Sequence, residues 1–481
     1  MKNKNIVSIV KTSTSGYPKA PFNPNKKYPE FDKFKVYKLE LQKNNSVYSA
    51  VRESLYQLEL DKNNYNTSGW NPFKNLISSG EKVVIKPNLV LAEHPLGEKG
   101  IECTISNASI IRPIIDYLIL ATNGNVKITI CDVPLQQAKW DKLIEYSGLK
   151  ELVEYYNKRG IKIDLFDLRL EISYLNNEGI ITKRVRKKRD PLDYSVVNLG
   201  RKSALTPIIK SYKKFEITNY GSGTVPKHHN PKKNEYLIPN TILDCDLFIN
   251  IPKLKTHRKA GITFALKNLI GINGDKSWIA HHRRGIPEMG GDEYPQFKLK
   301  NLLKYFWVRI KNSKYKWFAT LLLKNYKKIF TKNKTFAELK FEGNDLSGIT
   351  EGSWYKNDTI WRCIIDINNI LFFANKLGKI EKEIQRKYLS IGDAIISGEG
   401  EGPMENTPKD TGMIISGYHP FAIDKVSADI MGFIPNRINL LKKGEKFLFE
   451  KVGKIKIIKN KKEIRFNFKT PKNWNYIKKY E

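Results

Sequence analysis

Residues 107–131, NASIIRPIIDYLILATNGNVKITIC, decide the fold class. Ile110, Ile111, Ile114, Ile115, Leu118 and Ile119 recur at the 3.6-residue spacing that puts one apolar stripe on a helix, and Asn123-Gly124 follows as its stop. Lys127–Cys131 then reads as a buried strand. Upstream, Asn5–Lys11 and Lys82–Val90 are β-rich runs with an amphipathic helix, Ser46–Leu60, between them. Downstream, a helical stretch from Gln136 to Gly148 leads to a strand at Ile161–Phe166. Such alternation needs right-handed crossovers, so the prediction is an α/β protein with a mostly parallel sheet flanked by helices. In the second half Asp244–Ile251, Tyr388–Ile391 and Gly412–Ser416 read as strands, and Ile262–Ile270 and Phe421–Met431 as helices. A hairpin of Lys454–Ile458 and Glu463–Phe468 is predicted in the C-terminal tail.

Composition narrows the function classes. With 40% apolar residues in 481, the chain can bury a core despite a net charge of +35, which excludes disorder through charge. No apolar run approaches the ~18 residues of a spanning helix. The first residues lack a secretory apolar region, so a cytoplasmic protein is expected, with peripheral attachment at the inner membrane face as an option. The four cysteines, Cys103, Cys131, Cys245 and Cys363, form no CxxC pair, so no iron–sulfur cluster, zinc ribbon or disulfide framework is encoded. The organisation expected is an N-terminal segment, 1–80, joining a core of 81–293 and 338–433. A basic aromatic insertion, 294–337, and a basic tail, 434–481, complete it.

The densest chemistry lies in Asp244–His257 running into Gly261–Gly271. A hydrophobic strand there delivers Asn250, Lys253, Lys255, Thr256 and His257 to its carboxyl end, where α/β sheets bind ligands, and Lys267 and Asn268 follow at the far end of a helix. A solvated polar loop is the plain alternative. The stretch Ile251–Gly271 resembles the P-K-x-K-T-H … G-x-T-x-x-x-K-N-x-x-G signature of the DUF362 family. Val84-Ile-Lys-Pro-Asn88, Gly392–Pro403, Pro420–Asp424 and Met431–Phe433 agree with it in order and spacing. The resemblance implies an α/β fold and a shared site containing Lys86 and Asn88, without a settled activity. Relatives that carry a ferredoxin-type cysteine cluster imply a redox role, but this chain has no such cluster. His419-Pro420 stands where relatives commonly show Asp-Pro.

Further candidates come from residue chemistry. His281 and His282, followed by Glu288, Asp292 and Glu293, supply the nitrogen and oxygen donors that suit a divalent metal ion, and Glu399 is a further ligand candidate. Substrate contact or an ordinary loop are the competing roles for the histidine pair. Ser397–Pro403 reads as a glycine-rich turn able to cradle an anion or a metal-bridged phosphate, or as a solvated turn. Gly221-Ser-Gly-Thr224, before His228 and His229, is a second such loop. Asp393 and Asp424 are candidate general bases or metal carboxylates, with ordinary N-cap or turn duty as the alternative. No GxSxG elbow, P-loop or GxGxxG helix start occurs.

From Tyr294 to Ala337 there is no acid, and twelve Lys or Arg interleave with Tyr305, Phe306, Trp307, Tyr315, Trp317, Phe318, Tyr326 and Phe330. An anionic membrane surface, RNA or single-stranded nucleic acid, and a helical lid are the three readings, nucleic acid the weakest. The expected function is enzymatic, on an anionic small substrate that is phosphorylated or lipid-linked. Lys86, Lys253 and Lys255 would hold the anion. His257, Asp393 and Asp424 would move protons, and His281, His282, Asp292 and Glu399 would bind the metal. The alternative is a non-catalytic accessory protein that docks on a membrane or on nucleic acid.

Overall fold

The computed structural model describes residues 5–32, 34–176, 180–217, 220, 223–296 and 351–479, with 310, 315, 317, 318, 320–322 and 325. Most of the basic aromatic segment therefore lies outside the described residues, as do Gly221 and Ser222. Among the described residues ten strands form one sheet. They are β1 (Ile6–Lys11), β2 (Lys82–Pro87), β3 (Lys127–Asp132), β4 (Ile163–Asp167), β5 (Leu247–Ile251), β6 (Lys253–His257), β7 (Gly261–Thr263), β8 (Lys387–Glu401), β9 (Glu405–Gly417) and β10 (Lys456–Lys459). The order is β10-β1-β9-β8-β5-β2-β3-β4, with β6 paired to β7 and β8. Neighbours from β4 to β8 are parallel, and β8, β9 and β1 are antiparallel.

Period-2 alternation builds a core on each face. Val7, Ile9, Val84 and Phe248 belong to one apolar cluster, while Ile6, Val10, Val83, Ile85, Leu247 and Ile249 belong to the other. Helices Ser46–Gln57, Ile111–Thr122 and Leu149–Asn157 cover the second face, and Ile360–Phe373 and Pro420–Ile430 the first. The helix expected over 107–122 ends as its sequence requires, with Asn123 in the left-handed region at φ 50°. The predicted α/β architecture is the observed one.

Local departures have physical causes. Ile262–Ile270 is not one helix: Gly261–Thr263 turns back on β6 as a strand, and only Ala265–Asn268 is α-helical before a 3-10 turn. Gly261 makes this reversal, with φ +83° and the Trp474 ring 2.9 Å from where a Cβ would stand. The Ser397–Pro403 turn is instead the end of β8, paired with β9 through Glu401↔Glu405. In the tail, Lys456–Lys459 does not form a hairpin; it adds in parallel to β1. Helix Ile360–Phe373 was not anticipated, because Asp366, Asn368 and Asn369 disguise an element whose every residue is buried.

One break positions the site. β5 runs beside β2 as far as Ile251↔Pro87, and Pro252 then ends the ladder. The Pro252 carbonyl accepts from Asp393 N at 2.8 Å, so the chain continues along β8 as β6 and leaves β2. Space opens beyond the carboxyl ends of β2, β3 and β5, where ligands enter parallel sheets.

Candidate functional site

That space is a cavity of about 250 Å³. Among the described residues, six cationic side chains line it, Lys86, Lys255, Arg258, Lys259, Lys267 and Lys276, against two carboxylates, Asp132 and Glu351. Both carboxylates are already paired: Asp132 Oδ1 lies 2.7 Å from Lys86 Nζ and Glu351 Oε2 lies 3.5 Å from Lys259 Nζ. Gly271 permits the first pair, since a Cβ there would stand 2.4 Å from Asp132 Oδ1 and 2.5 Å from Lys86 Nζ. Lys255, Arg258, Lys267 and Lys276 are left without a carboxylate partner among the described residues.

Neutral dipoles hold some of them. Lys255 Nζ donates to Thr104 O at 2.5 Å and to Asn88 Oδ1 at 3.2 Å; Lys276 Nζ donates to Ile270 O at 2.8 Å. Asn268 is the hub of the floor. Its Oδ1 accepts from Lys86 Nζ (3.2 Å) and Asn88 Nδ2 (2.8 Å), and its Nδ2 donates to Asn250 Oδ1 (2.7 Å). Burial removes hydration from the charges without supplying anions. It lowers Lys255 well below the ordinary lysine range, pushes Lys267 down to about 8, and takes Lys276 to about 7 against the opposing pull of Asp132.

Two histidines face this field with their tautomers set by the backbone. His257 Nδ1 accepts from the N–H groups of Lys259 (3.0 Å) and Ala260 (3.1 Å), so its proton sits on Nε2. His281 Nδ1 lies 3.0 Å from the Ile279 carbonyl, which can only accept, so Nδ1 carries the proton and Nε2 keeps its lone pair. Burial, reinforced by nearby lysines, holds both rings well below the usual histidine range and therefore neutral. One ring is an N–H donor and the other an acceptor, and both line the cavity.

The structure thus brings Lys86, Asn88, Lys255, His257, Lys267, Asn268 and His281 to one cavity and places the other sequence candidates elsewhere. Asn250 lies beneath the floor, donating to Ala265 O and Tyr388 Oη. Thr256 points to the opposite face and donates to Gly400 O at 2.8 Å. Lys253 pairs with Asp393 at 3.2 Å and also donates to Tyr17 Oη. Asp424 accepts from the N–H groups of Ala265 (2.7 Å) and Leu266 (3.2 Å), as a helix cap does, and burial raises its carboxyl to about 8. The four metal candidates are dispersed: His282 faces Glu293 at 4.0 Å, Asp292 binds Arg283 N and Thr359 Oγ1, and Glu399 meets Lys409 Nζ and Lys469 N. Among the described residues no three His, Cys, Asp or Glu side chains gather as a metal site. Arg258, Lys259, Lys276, Asp132 and Glu351 escaped the sequence reading. Asp132 alone left a signal, as the polar residue closing a buried strand.

An α/β sheet with a cation-lined cavity at its carboxyl edge is the class these observations define. Residues 201–429 match the model of DUF362, a domain of unknown function. Lys86 and Asn88 precede the matched range, yet their side chains reach Asn268 and Lys255 inside it. No curated protein matches the chain. A crystal structure of a Thermotoga maritima protein from a structural genomics consortium aligns at 10% identity and a TM-score of 0.32, covering 79% of this chain and 58% of that one.

Proposed function

We propose that the protein is an enzyme that binds a multiply charged, phosphate-class anion in this cavity and moves a proton during its conversion. The carrying observation is the set of four lining cations without a carboxylate partner among the described residues. Burying cations unpaired is costly, and an anionic ligand is the group that offsets it. In this reading Lys255, Lys267, Lys276 and Arg258 hold the anion. His281 Nε2 accepts a proton from the substrate, and the Nε2–H of His257 donates to the substrate oxygen on which charge grows. A divalent ion, expected from the sequence, would enter so cationic a space as a partner of the substrate's phosphate oxygens.

A thermal-shift panel of inorganic phosphate, pyrophosphate, sugar phosphates and divalent metals tests this by linkage. Stabilisation by phosphate-class anions that disappears in Lys255→Met and Lys267→Met is expected. Stabilisation by metals alone, or silence throughout, would overturn the reading. The proton-transfer roles have their own readout, since long-range nitrogen NMR distinguishes the two tautomers. His257 should carry its proton on Nε2 and His281 on Nδ1; the same tautomer on both removes the donor–acceptor pair.

A further inference from the structure

The cavity lining combines deeply buried charges with apolar side chains. Lys86, Asp132, Lys255 and Lys276 at the floor are all at most 5% exposed. Apolar residues line the rest of the wall, from buried Val133 and Ile217 out to Leu175, which is 44% exposed at the tip of the Glu171–Leu175 strand. A headgroup with several negative charges fits the floor, and an attached apolar chain fits the mouth.

The mouth continues into an unusual surface. Asn176, next to Leu175, donates from Nδ2 to Thr320 Oγ1 at 3.3 Å and so joins this strand end to the segment around residue 320. Of the seventeen exposed large apolar side chains among the described residues, six fall on these two short pieces: Tyr174 (51%), Leu175, Trp317 (62%), Phe318 (42%), Leu321 (49%) and Leu322 (42%). Scattered apolar residues on a surface are ordinary, whereas a contiguous group at a cavity mouth marks an interaction site. Cations predominate in the sequence on either side of these pieces. Residues 294–337 carry twelve Lys or Arg and no acid, and Lys183, Arg186, Lys187 and Lys188 are exposed along and just after the strand Ile181–Arg186, which pairs with Glu171–Leu175.

We infer that this rim seats on an anionic bilayer and that the cavity takes its substrate from it: a membrane amphiphile with a phosphate-class headgroup. The inference rests on the anion-binding reading of the cavity and adds the source of the anion. Aromatic and aliphatic side chains would enter the headgroup boundary, lysines and arginines would meet lipid phosphates, and Leu175 would stand at the junction of bilayer and cavity.

Cosedimentation with phosphatidylcholine vesicles, with and without phosphatidylglycerol, tests it. The unmodified protein should bind the anionic vesicles and keep part of that binding at high salt. The variant Tyr174→Ser, Trp317→Ser, Phe318→Ser, Leu321→Ser should lose about tenfold or more in vesicle affinity while keeping stabilisation by pyrophosphate. Lys255→Met with Lys267→Met should show the reverse. Vesicle binding unchanged in the rim variant, abolished entirely by salt, or displaced by a single-stranded oligonucleotide would overturn the membrane inference and leave the pyrophosphate result to judge the cavity. Lipids brominated in the acyl chain give a second readout without relying on the multiple variant. They should quench tryptophan fluorescence of the unmodified protein, and Trp317→Phe should remove a share of that quenching. Absence of quenching counts against the rim.

Discussion

Lys253 and Lys255 stand two residues apart on one strand, point to one side, and are 0% and 1% exposed, yet their surroundings differ completely. Lys253 meets a full set of partners. Its ammonium pairs with Asp393, whose carboxylate also accepts from Tyr17 Oη and from the backbone of Asn107 and Ile395. Lys255 meets only the neutral oxygens of Asn88 and Thr104 and faces open space lined by further lysines. Spacing in the sequence makes the two look equivalent; the topology of β6 against β8 separates a structural ion pair from a candidate binding group.

The largest expected effect breaks the pair. Lys253→Met leaves Asp393 buried and uncompensated and should cost about 3–5 kcal/mol in urea unfolding. Lys255→Met should leave stability unchanged or raised, because it removes an unpaired buried charge, while abolishing stabilisation by pyrophosphate. If both variants lose stability equally, the contrast fails. A second substitution sharpens the need for close approach at the floor. Gly271→Ala places a methyl against the Asp132–Lys86 pair and should destabilise by about 1–3 kcal/mol by the same measurement.

Acidity separates the two lysine classes further. A lysine whose folded value lies below its unfolded one weakens the fold while charged. The Lys276 contribution to ligand-free stability should therefore rise with pH from about 7 toward the ordinary lysine value of 10.5. Anion binding needs the charged form and runs the other way, falling by roughly tenfold per pH unit above about 7, once Lys276 has lost its proton, and by roughly a hundredfold per unit above about 8, once Lys267 has lost its proton too. Calorimetric titration of pyrophosphate across this range checks the sign, and comparison with Lys276→Met isolates the residue. Affinity rising with pH would contradict the assignment. The smallest effect is expected at Arg258, which is only half-buried: Arg258→Gln should lower pyrophosphate affinity by about threefold or less.

Much of this architecture is readable in the chain because its first half is regular. The stripe of Ile110–Ile119 and the strands on either side of it carry one period each, and a sheet covered on both faces follows. Legibility ends where one residue type serves two environments. The apolar run Ile262–Ile270 satisfies either period, and Gly261 turns only its first two residues back as a strand. The buried helix Ile360–Phe373 hides behind Asp366, whose carboxylate takes Ala204 N at 2.7 Å and Tyr236 Oη at 2.8 Å. For the site, the motif points to Lys255, His257, Lys267 and Asn268 because they are close in sequence. Lys276 and Glu351 reach the cavity from loops whose paths only the packed chain defines, and the irregular loop around His281 does not announce which of two adjacent imidazoles turns inward.

The strand Ile6–Lys11 has a consequence for how the chain comes into being. Its hydrogen-bonded neighbours are β9, reached through Val7↔Gly417, and β10, and Lys11 N donates to Asn460 Oδ1 across 449 positions. Closing so long a loop precedes any reward from pairing, which makes such contacts slow to form. At about 5–20 residues per second, an emerging chain would hold this apolar strand unpaired for on the order of half a minute or more. During that interval the stretch IVSIVK is an open edge, and the cell that makes this protein must keep it from finding another edge first.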